Sequence, residues 1–158
     1  MDLLSVIDVG CGTRPQGNVN CDLFVEGLHR DVTSDKIDYR KIPNFVICDG
    51  SYLPFATGSF KIAKSNHTIE HTETPYLFLQ ELRRVSKRIE MNVPFGCWYD
   101  WLWFRVHGHK WSLMPWWYRN ALPVGAKVTI RLMWKRTLIR GKKIPLFVYP
   151  YLEIHVET

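Results

Sequence analysis

The stretch from Val6 to Thr13 constrains the fold of this chain most. An apolar run that contains Asp8 ends at Gly10 and Gly12, two glycines separated by one residue. Glycine at such positions lets the backbone turn sharply after a strand and lets a ligand approach the main chain closely. The stretch therefore predicts a strand, a tight turn and a ligand-binding edge in an α/β fold.

The residues after this turn argue against a phosphate ligand. A dinucleotide-binding turn needs a third glycine, and Pro15 stands at its position. A P-loop needs a lysine after its second glycine; Gly12 and Gly17 have the required spacing, but Asn18 replaces the lysine. The pattern favours a nucleoside ligand without a phosphate.

Three further acidic turns follow apolar segments, at Asp22, Asp49 and Glu70. The series resembles the class I S-adenosylmethionine-dependent methyltransferases, most closely the small type 11 methyltransferase-domain proteins. In that family the third segment reads D-x-x-x-L-P-F, and the fourth reads L-E-H before a helix that ends E-x-x-R-V. The matching residues here are Asp49 with Leu53-Pro54-Phe55, Ile69-Glu70-His71, Glu81 with Arg84-Val85, and Val93-Pro94-Phe95 after the fifth strand. The resemblance covers residues 4–95.

The expected fold class is α/β, a Rossmann-like methyltransferase sheet that is mostly parallel, with an antiparallel closing strand and reduced helices. Continuous apolar runs are typical of parallel strands. The expected strands cover 4–9, 18–22, 44–48, 61–65, 88–93, 124–134 and 144–156, and the expected helices cover 75–87 and 114–121. Thr74 is expected to cap the first helix, with Pro75 at its first position and Leu77, Phe78, Leu82 and Val85 on its apolar face.

The connection between the first two strands is unusually short. Nine residues separate Val9 from Val19, whereas a parallel crossover normally needs a dozen or more. We therefore expect a loop where the family has its first helix, and reduced affinity for the cofactor.

Length and composition fit a single domain over residues 1–158, with a cofactor-binding half at 1–95 and an aromatic, basic acceptor-side half at 96–158. The N-terminus lacks the basic region of a signal peptide, and no apolar run is long enough to span a membrane. The four cysteines include no C-x-x-C pair and are expected to be buried thiols in a reducing compartment, which indicates a cytoplasmic protein.

The resemblance implies a role for each turn in binding S-adenosylmethionine. Around the methionine moiety it places Asp8, Gly10, Cys11 and Gly12; on the ribose it places Asp22; on the adenine it places Asp49, Gly50 and Ser51, with Leu23 and either Tyr52 or Leu53 against its faces. Asn66 and His67 would face the transferable methyl group.

His67 and His71 are the candidate general bases, although each is also explained as a histidine hydrogen-bonded into its loop. Glu70 is expected to bind the backbone of the same turn. The pair His107 and His109 resembles part of a metal-binding motif. No acidic or cysteine partner lies at ligand spacing, so no metal site is expected.

Charge and aromatic residues concentrate in the second half. Residues 1–79 hold 7 Lys and Arg against 10 Asp and Glu, whereas residues 80–158 hold 14 against 5. This basic half favours an anionic methyl acceptor, nucleic acid among the candidates, or is simply a solvated face. All seven tryptophans lie between Trp98 and Trp134. They are expected to form an acceptor lid, an aromatic core or a homodimer contact.

Two functions follow from these patterns. The first is a methyltransferase that transfers a methyl group to an unidentified acceptor by in-line displacement. The second is a methyltransferase-like binding or structural module that has lost turnover, which the short first connection would explain. The three retained carboxylates Asp8, Asp22 and Asp49 favour the first.

Overall fold

A computed structural model of the protein describes residues 4–23, 38–96, 109–139 and 142–157, with the backbone alone over much of the last two strands. Seven strands lie in these ranges: β1 Leu4–Val9, β2 Val19–Asp22, β3 Phe45–Ile47, β4 Phe60–Asn66, β5 Ser86–Pro94, β6 Lys127–Ile139 and β7 Lys142–Glu157. They form one sheet in the order β3-β2-β1-β4-β5-β7-β6.

Strands β1 to β5 are mutually parallel, and β7 runs antiparallel between β5 and β6. The expected mostly parallel sheet with an antiparallel closing strand is therefore confirmed. Because the five parallel strands point the same way, their carboxyl ends share one side of the sheet, which we call the carboxyl edge. It is formed by the residues at and just after Val9, Asp22, Ile47, Asn66 and Pro94.

Two α-helices occur in the described ranges, α1 Pro75–Val85 and α2 Pro115–Ala121, together with short 3-10 turns at Tyr39–Lys41 and Ile69–His71. Helix α1 begins at Pro75 as expected and buries Phe78, Leu79, Leu82 and Val85, while Leu77 is only partly buried. These side chains join apolar residues of the sheet and of α2 in one core, which includes Ile7, Phe60, Met91, Tyr118, Leu152 and Ile154.

Both ends of α1 differ from the sequence-based expectation. Thr74 stands at the N-cap but makes no side-chain cap bond; its hydroxyl instead hydrogen-bonds the Ser51 hydroxyl, with the two oxygens 3.2 Å apart. The helix ends at Val85 rather than at residue 87, because Ser86 is extended and its hydroxyl donates to the Leu82 carbonyl at 2.8 Å. Strand β5 therefore begins two residues earlier than predicted.

The connection from β1 to β2 consists of turns, as its length predicted. It folds back at once, and the Asn18 backbone N–H donates to the Val6 carbonyl at 2.9 Å. A Cβ at Gly17 would lie 2.7 Å from the Asp8 nitrogen and 2.4 Å from the Val19 carbonyl oxygen, so only glycine fits there. The chain replaces a crossover helix with a loop packed directly on the strand it leaves.

Strand β6 begins at Lys127 rather than at residue 124, because residues 124 and 125 form a turn in which Gly125 has a φ of +98°. Arg131 pairs with Tyr151 across β6 and β7, and Tyr151 pairs with Pro94 at the end of β5. Residues 132–139 and 142–150 therefore extend beyond the carboxyl edge as a hairpin arm. Ile130 on β6 is 56% exposed. No helix among the described residues is long and apolar enough to cross a membrane.

Candidate active site

The glycine turn after β1 is held against β2 by backbone hydrogen bonds. The Gly10 and Cys11 N–H groups both donate to the Cys21 carbonyl, at 2.8 and 3.1 Å. Gly10 has a φ of +75°, and a Cβ there would lie 2.2 Å from the Thr68 side chain. At Gly12, whose φ is +50°, a Cβ would meet no atom of the described residues within 4 Å. The turn is thus closed on the Thr68 side and open at Gly12, where a ligand can reach the main chain.

Asp8 lies at the buried base of this turn, with 2% of its surface exposed. One of its carboxylate oxygens accepts the Gln16 N–H at 2.8 Å. Burial raises the pKa of Asp8 to about 6, against the opposing effects of that hydrogen bond and of Lys64 on the neighbouring strand. The nearby Asp22 carboxylate raises the pKa further. Asp8 is therefore a carboxylate that gains from a cationic partner.

Asp22 ends β2 and connects it to the glycine turn. Its Oδ2 accepts the Gly12 N–H at 2.9 Å, and its side chain is almost completely buried. The next residue, Leu23, is 51% exposed. The structure therefore brings Asp8, Gly12 and Asp22 together at adjacent strand ends, as the sequence predicted.

The Asp49 turn follows β3 and is stabilised mainly by its own backbone. Asp49 Oδ1 accepts the Ser51 N–H at 2.8 Å, and the Asp49 carbonyl accepts the Tyr52 N–H at 2.9 Å. A Cβ on Gly50 would lie 2.3 Å from the Phe78 ring. Ser51 is buried, and Tyr52 is 68% exposed, whereas Leu53 belongs to the core. Of the two alternatives expected beside Leu23 against a flat ligand, Tyr52 is accessible and Leu53 is not.

Asn66 and His67 lie at the end of β4. Asn66 Oδ1 accepts a hydrogen bond from Asn92 Nδ2 at 2.7 Å, and the His67 N–H donates to the Asn92 carbonyl at 2.8 Å. His67 has a φ of +52°, which an L-residue rarely adopts, and its side chain is 43% exposed. Such backbone strain is concentrated at functional sites. Sequence reasoning did not select Asn92, a polar residue that pairs with Asn66 across β4 and β5.

Glu70 and His71 form the 3-10 turn beyond His67 and face the segment before α2. The Glu70 carbonyl accepts the Lys110 and Trp111 N–H groups at 2.8 and 3.1 Å. The Glu70 carboxylate itself is buried and makes no hydrogen bond, so the expectation that it binds the backbone of its own turn is wrong. The His71 ring lies edge-on to the His109 ring, with centroids 4.9 Å apart. His67 is thus the more exposed of the two candidate bases.

The thiols near the turns are buried or partly buried. Cys11, Cys21 and Cys48 form no disulfide among the described residues, and Cys97 lies outside them. Burial raises the pKa of the Cys11 thiol to about 12, so this cysteine is not a nucleophile at neutral pH.

Much of the expected acceptor side lies outside the described residues. Trp98, Tyr99, Trp101, Trp103, Phe104 and His107 all fall in residues 97–108. In the described part, Trp111 is 42% and Trp116 62% exposed, while Trp117 packs against the core. Arg131, one of the basic residues of the second half, pairs with Glu153 at 2.8 Å.

Residues 7–88, about half of the chain, match the protein family described as Methyltransferase domain. No curated protein sequence gives a significant match.

Solved structures, methyltransferases among them, share the fold. Geranyl diphosphate C-methyltransferase from Streptomyces coelicolor, in complex with Mg²⁺, geranyl diphosphate and S-adenosyl-L-homocysteine, has a TM-score of 0.65 at 14% identity, over 97% of this chain and 73% of that one. The YcgJ protein from Bacillus subtilis has a TM-score of 0.65 at 14% identity, over 97% and 91%. A Mesorhizobium loti S-adenosylmethionine-dependent methyltransferase has a TM-score of 0.59 at 14% identity, over 98% and 91%.

Proposed function

This chain belongs to the methyltransferase domain family, and we propose that it binds S-adenosylmethionine at the carboxyl edge and transfers the methyl group to an acceptor. The observation that carries the proposal is the convergence of Asp8, Gly12 and Asp22, in which the Gly12 N–H fixes the Asp22 carboxylate at 2.9 Å. Two buried carboxylates beside an open glycine turn are a costly arrangement unless a cationic, hydroxyl-rich ligand completes it.

The residues present fit this cofactor. Asp8 would face the ammonium of its methionine moiety, and Asp22 would accept hydrogen bonds from its ribose hydroxyls. The exposed side chains of Leu23 and Tyr52 would pack against the adenine. When bound, S-adenosylmethionine would supply a methyl group attached to a sulfonium, and the leaving group would be a neutral thioether.

The protein's own contribution is positioning and proton transfer. Asn66 is held by Asn92 at the end of β4, next to His67. We assign His67 as the general base for a hydroxyl or ammonium acceptor, because its imidazole is accessible and its Nδ1 lies 3.5 Å from Glu70 Oε1. The Glu70 carboxylate would stabilise the imidazolium that forms after proton transfer. His71, packed against His109, is a less accessible second candidate.

The acceptor side of the proposal rests on charge. The hairpin arm carries Lys135, Arg136, Lys142 and Lys143 and extends past the edge where the cofactor would bind. An anionic acceptor, nucleic acid included, would be attracted to this arm. The free thiols support a cytoplasmic location, and the exposed Trp111 and Trp116 are candidates for an acceptor lid or a homodimer contact.

Calorimetric titration with S-adenosylmethionine tests the cofactor assignment. Asp22→Ala should weaken binding by about 2–4 kcal/mol, because it removes a charged acceptor from the ribose hydroxyls and from the Gly12 N–H. Asp22→Asn retains an acceptor for Gly12 and should lose less. Asp38→Asn, at an exposed carboxyl paired with Lys41, is the matched control.

Equal affinities of Asp22→Ala and Asp38→Asn would reject the ribose assignment. Turnover is tested separately with methyl-labelled cofactor incubated with RNA, DNA and protein extracts. Binding without label transfer to any of them would favour a methyltransferase-like binding module.

A further inference from the structure

A second cluster of functional groups lies beside the proposed cofactor site. It consists of Glu70, His71 and His109, each of which offers one ligand atom, and these three atoms lie within 4.8 Å of one another. The sequence predicts no metal here, because no acidic or cysteine partner of His109 lies at ligand spacing in the chain. The fold brings the acidic partner, Glu70, to His109 from the turn after β4. His71, the ligand nearest in the chain, lies 38 residues before His109.

The Glu70 carboxylate is the observation that points to a ligand. Its side chain is 3% exposed, and neither oxygen makes a hydrogen bond. The imidazole of His67 lies beside it, with Nδ1 3.5 Å from Oε1. A buried carboxylate without hydrogen bonds is costly, since it has given up hydration with no replacement. A bound cation would compensate for that loss.

The two histidines provide ligands of the right kind on the same side. Their rings are nearly perpendicular, at 83°, with centroids 4.9 Å apart. Both are half-buried, so an ion can reach them from solvent. Two imidazoles with one carboxylate suit a first-row transition metal better than Mg²⁺ or Ca²⁺, which prefer oxygen ligands alone.

The backbone holds the two halves of the cluster together without an ion. The Glu70 carbonyl accepts N–H groups from Lys110 and Trp111, and the Trp111 indole donates to the Thr72 carbonyl at 2.9 Å. The pair between the Lys110 ammonium and Glu73 is exposed and adds little to this attachment. His109 is therefore held next to the turn that carries the other two ligands. Metal bonds of about 2.0–2.1 Å place tetrahedral ligand atoms roughly 3.3 Å apart, which small side-chain rotations can reach from this arrangement.

We propose that Glu70, His71 and His109 bind one divalent transition-metal ion, with Zn²⁺ as the preferred probe. The ion would fasten the segment that leads into α2 to the carboxyl edge. Three protein ligands leave a coordination position for water or for an oxygen of the acceptor. The site stands on its own geometry and does not depend on methyl transfer.

Direct metal binding tests the proposal. Chelator-treated, dialysed protein is titrated with ZnCl₂ in a calorimeter, and the metal content of the reloaded protein is measured by mass spectrometry. We expect one ion per chain and a rise in melting temperature on loading. Glu70→Gln and His109→Ala should each weaken binding at least about 100-fold, since the loss of an outer-sphere partner alone costs 10–100-fold.

Matched variants separate ligation from charge and from misfolding. Glu73→Gln removes an equal charge from an exposed neighbour, and His155→Ala removes an exposed histidine on β7; both should bind Zn²⁺ within about threefold of the unmodified protein. Far-ultraviolet circular dichroism checks that each variant is folded. The proposal fails if the folded unmodified protein binds no stoichiometric ion, or if Glu73→Gln weakens binding as much as Glu70→Gln. It also fails if Co²⁺ loading produces a thiolate charge-transfer band, which would place the ion at the cysteines.

Discussion

Asp8, the proposed partner of the cofactor's ammonium, carries a buried carboxyl group whose ionisation is costly. Burial raises its pKa from 3.8 to about 6, so the folded protein holds this proton more tightly than the unfolded chain does. The contribution of the proton to stability is complete below pH 3.8 and is lost as pH rises through 6. At neutral pH the ionised Asp8 therefore destabilises the unliganded fold.

We predict that Asp8→Asn stabilises the unliganded protein in a pH-dependent manner. Because Asn has no charge to desolvate and can still accept the Gln16 N–H, the gain should be about 1 kcal/mol at pH 4.5 and about 3 kcal/mol at pH 7.5. Urea unfolding at the two pH values measures it, with Asp38→Asn as the control. A gain that is the same at both pH values would contradict the raised pKa. The variant should also bind S-adenosylmethionine more weakly, since the ammonium loses its partner.

At the scale of elements, α1 holds the Asp49 turn in place through two of its own residues. Arg84 donates to the carbonyls of Phe55 and Leu53 at 2.7 and 2.9 Å, and Glu81 accepts the Leu53 N–H at 2.8 Å. The pair is also joined directly, with Arg84 Nε 2.6 Å from Glu81 Oε1, which lowers the pKa of Glu81. The E-x-x-R motif seen in the sequence is thus a clamp on the loop that carries Tyr52.

We predict that Arg84→Lys destabilises the protein by about 1–3 kcal/mol. Lysine has a single ammonium and cannot reproduce the guanidinium geometry that satisfies Glu81 and two carbonyls together. Chemical denaturation measures the loss, and Arg83→Lys, at the exposed neighbouring position, should leave stability within about 0.5 kcal/mol. If the two variants were equally stable, the clamp would have no energetic role.

At the scale of the whole molecule, the short first connection supplies no helix to cover the methionine end of the proposed site. Residues 10–18 are turns, and the open position at Gly12 lies among them. With no helix after β1, fewer groups surround the cofactor. We therefore predict an affinity in the micromolar range or weaker, about −8 kcal/mol or less favourable.

Thermal unfolding over a range of S-adenosylmethionine concentrations measures this affinity. The melting temperature should begin to rise only at micromolar ligand. At 100 times the dissociation constant the stabilisation should be about 2.7 kcal/mol, a shift of roughly 5–11 °C for a domain of this size. A rise that saturates at nanomolar ligand would contradict the open site.

Local patterns determined the sheet, the turns and the family of this protein. Apolar runs with an acidic residue at or near their ends, at Asp8, Asp22 and Asp49, could be recognised directly, because parallel strands place their carboxyl ends on one edge of the sheet. The nine-residue connection likewise ruled out a helix by length alone. Element ends were less certain: Ser86 closes α1 through a side-chain bond that propensity does not encode.

Only the tertiary structure decided what lies across the edge from these turns. Thr68 fills the space above Gly10, and Asn92 orients Asn66, although each pair is far apart in the chain. The sequence argued against a metal at His109 because ligand spacing is read along the chain, whereas Glu70 and His71 reach it through the fold. Contacts between distant segments depend on how strands and turns pack together. The order of residues alone does not say which of these segments meet.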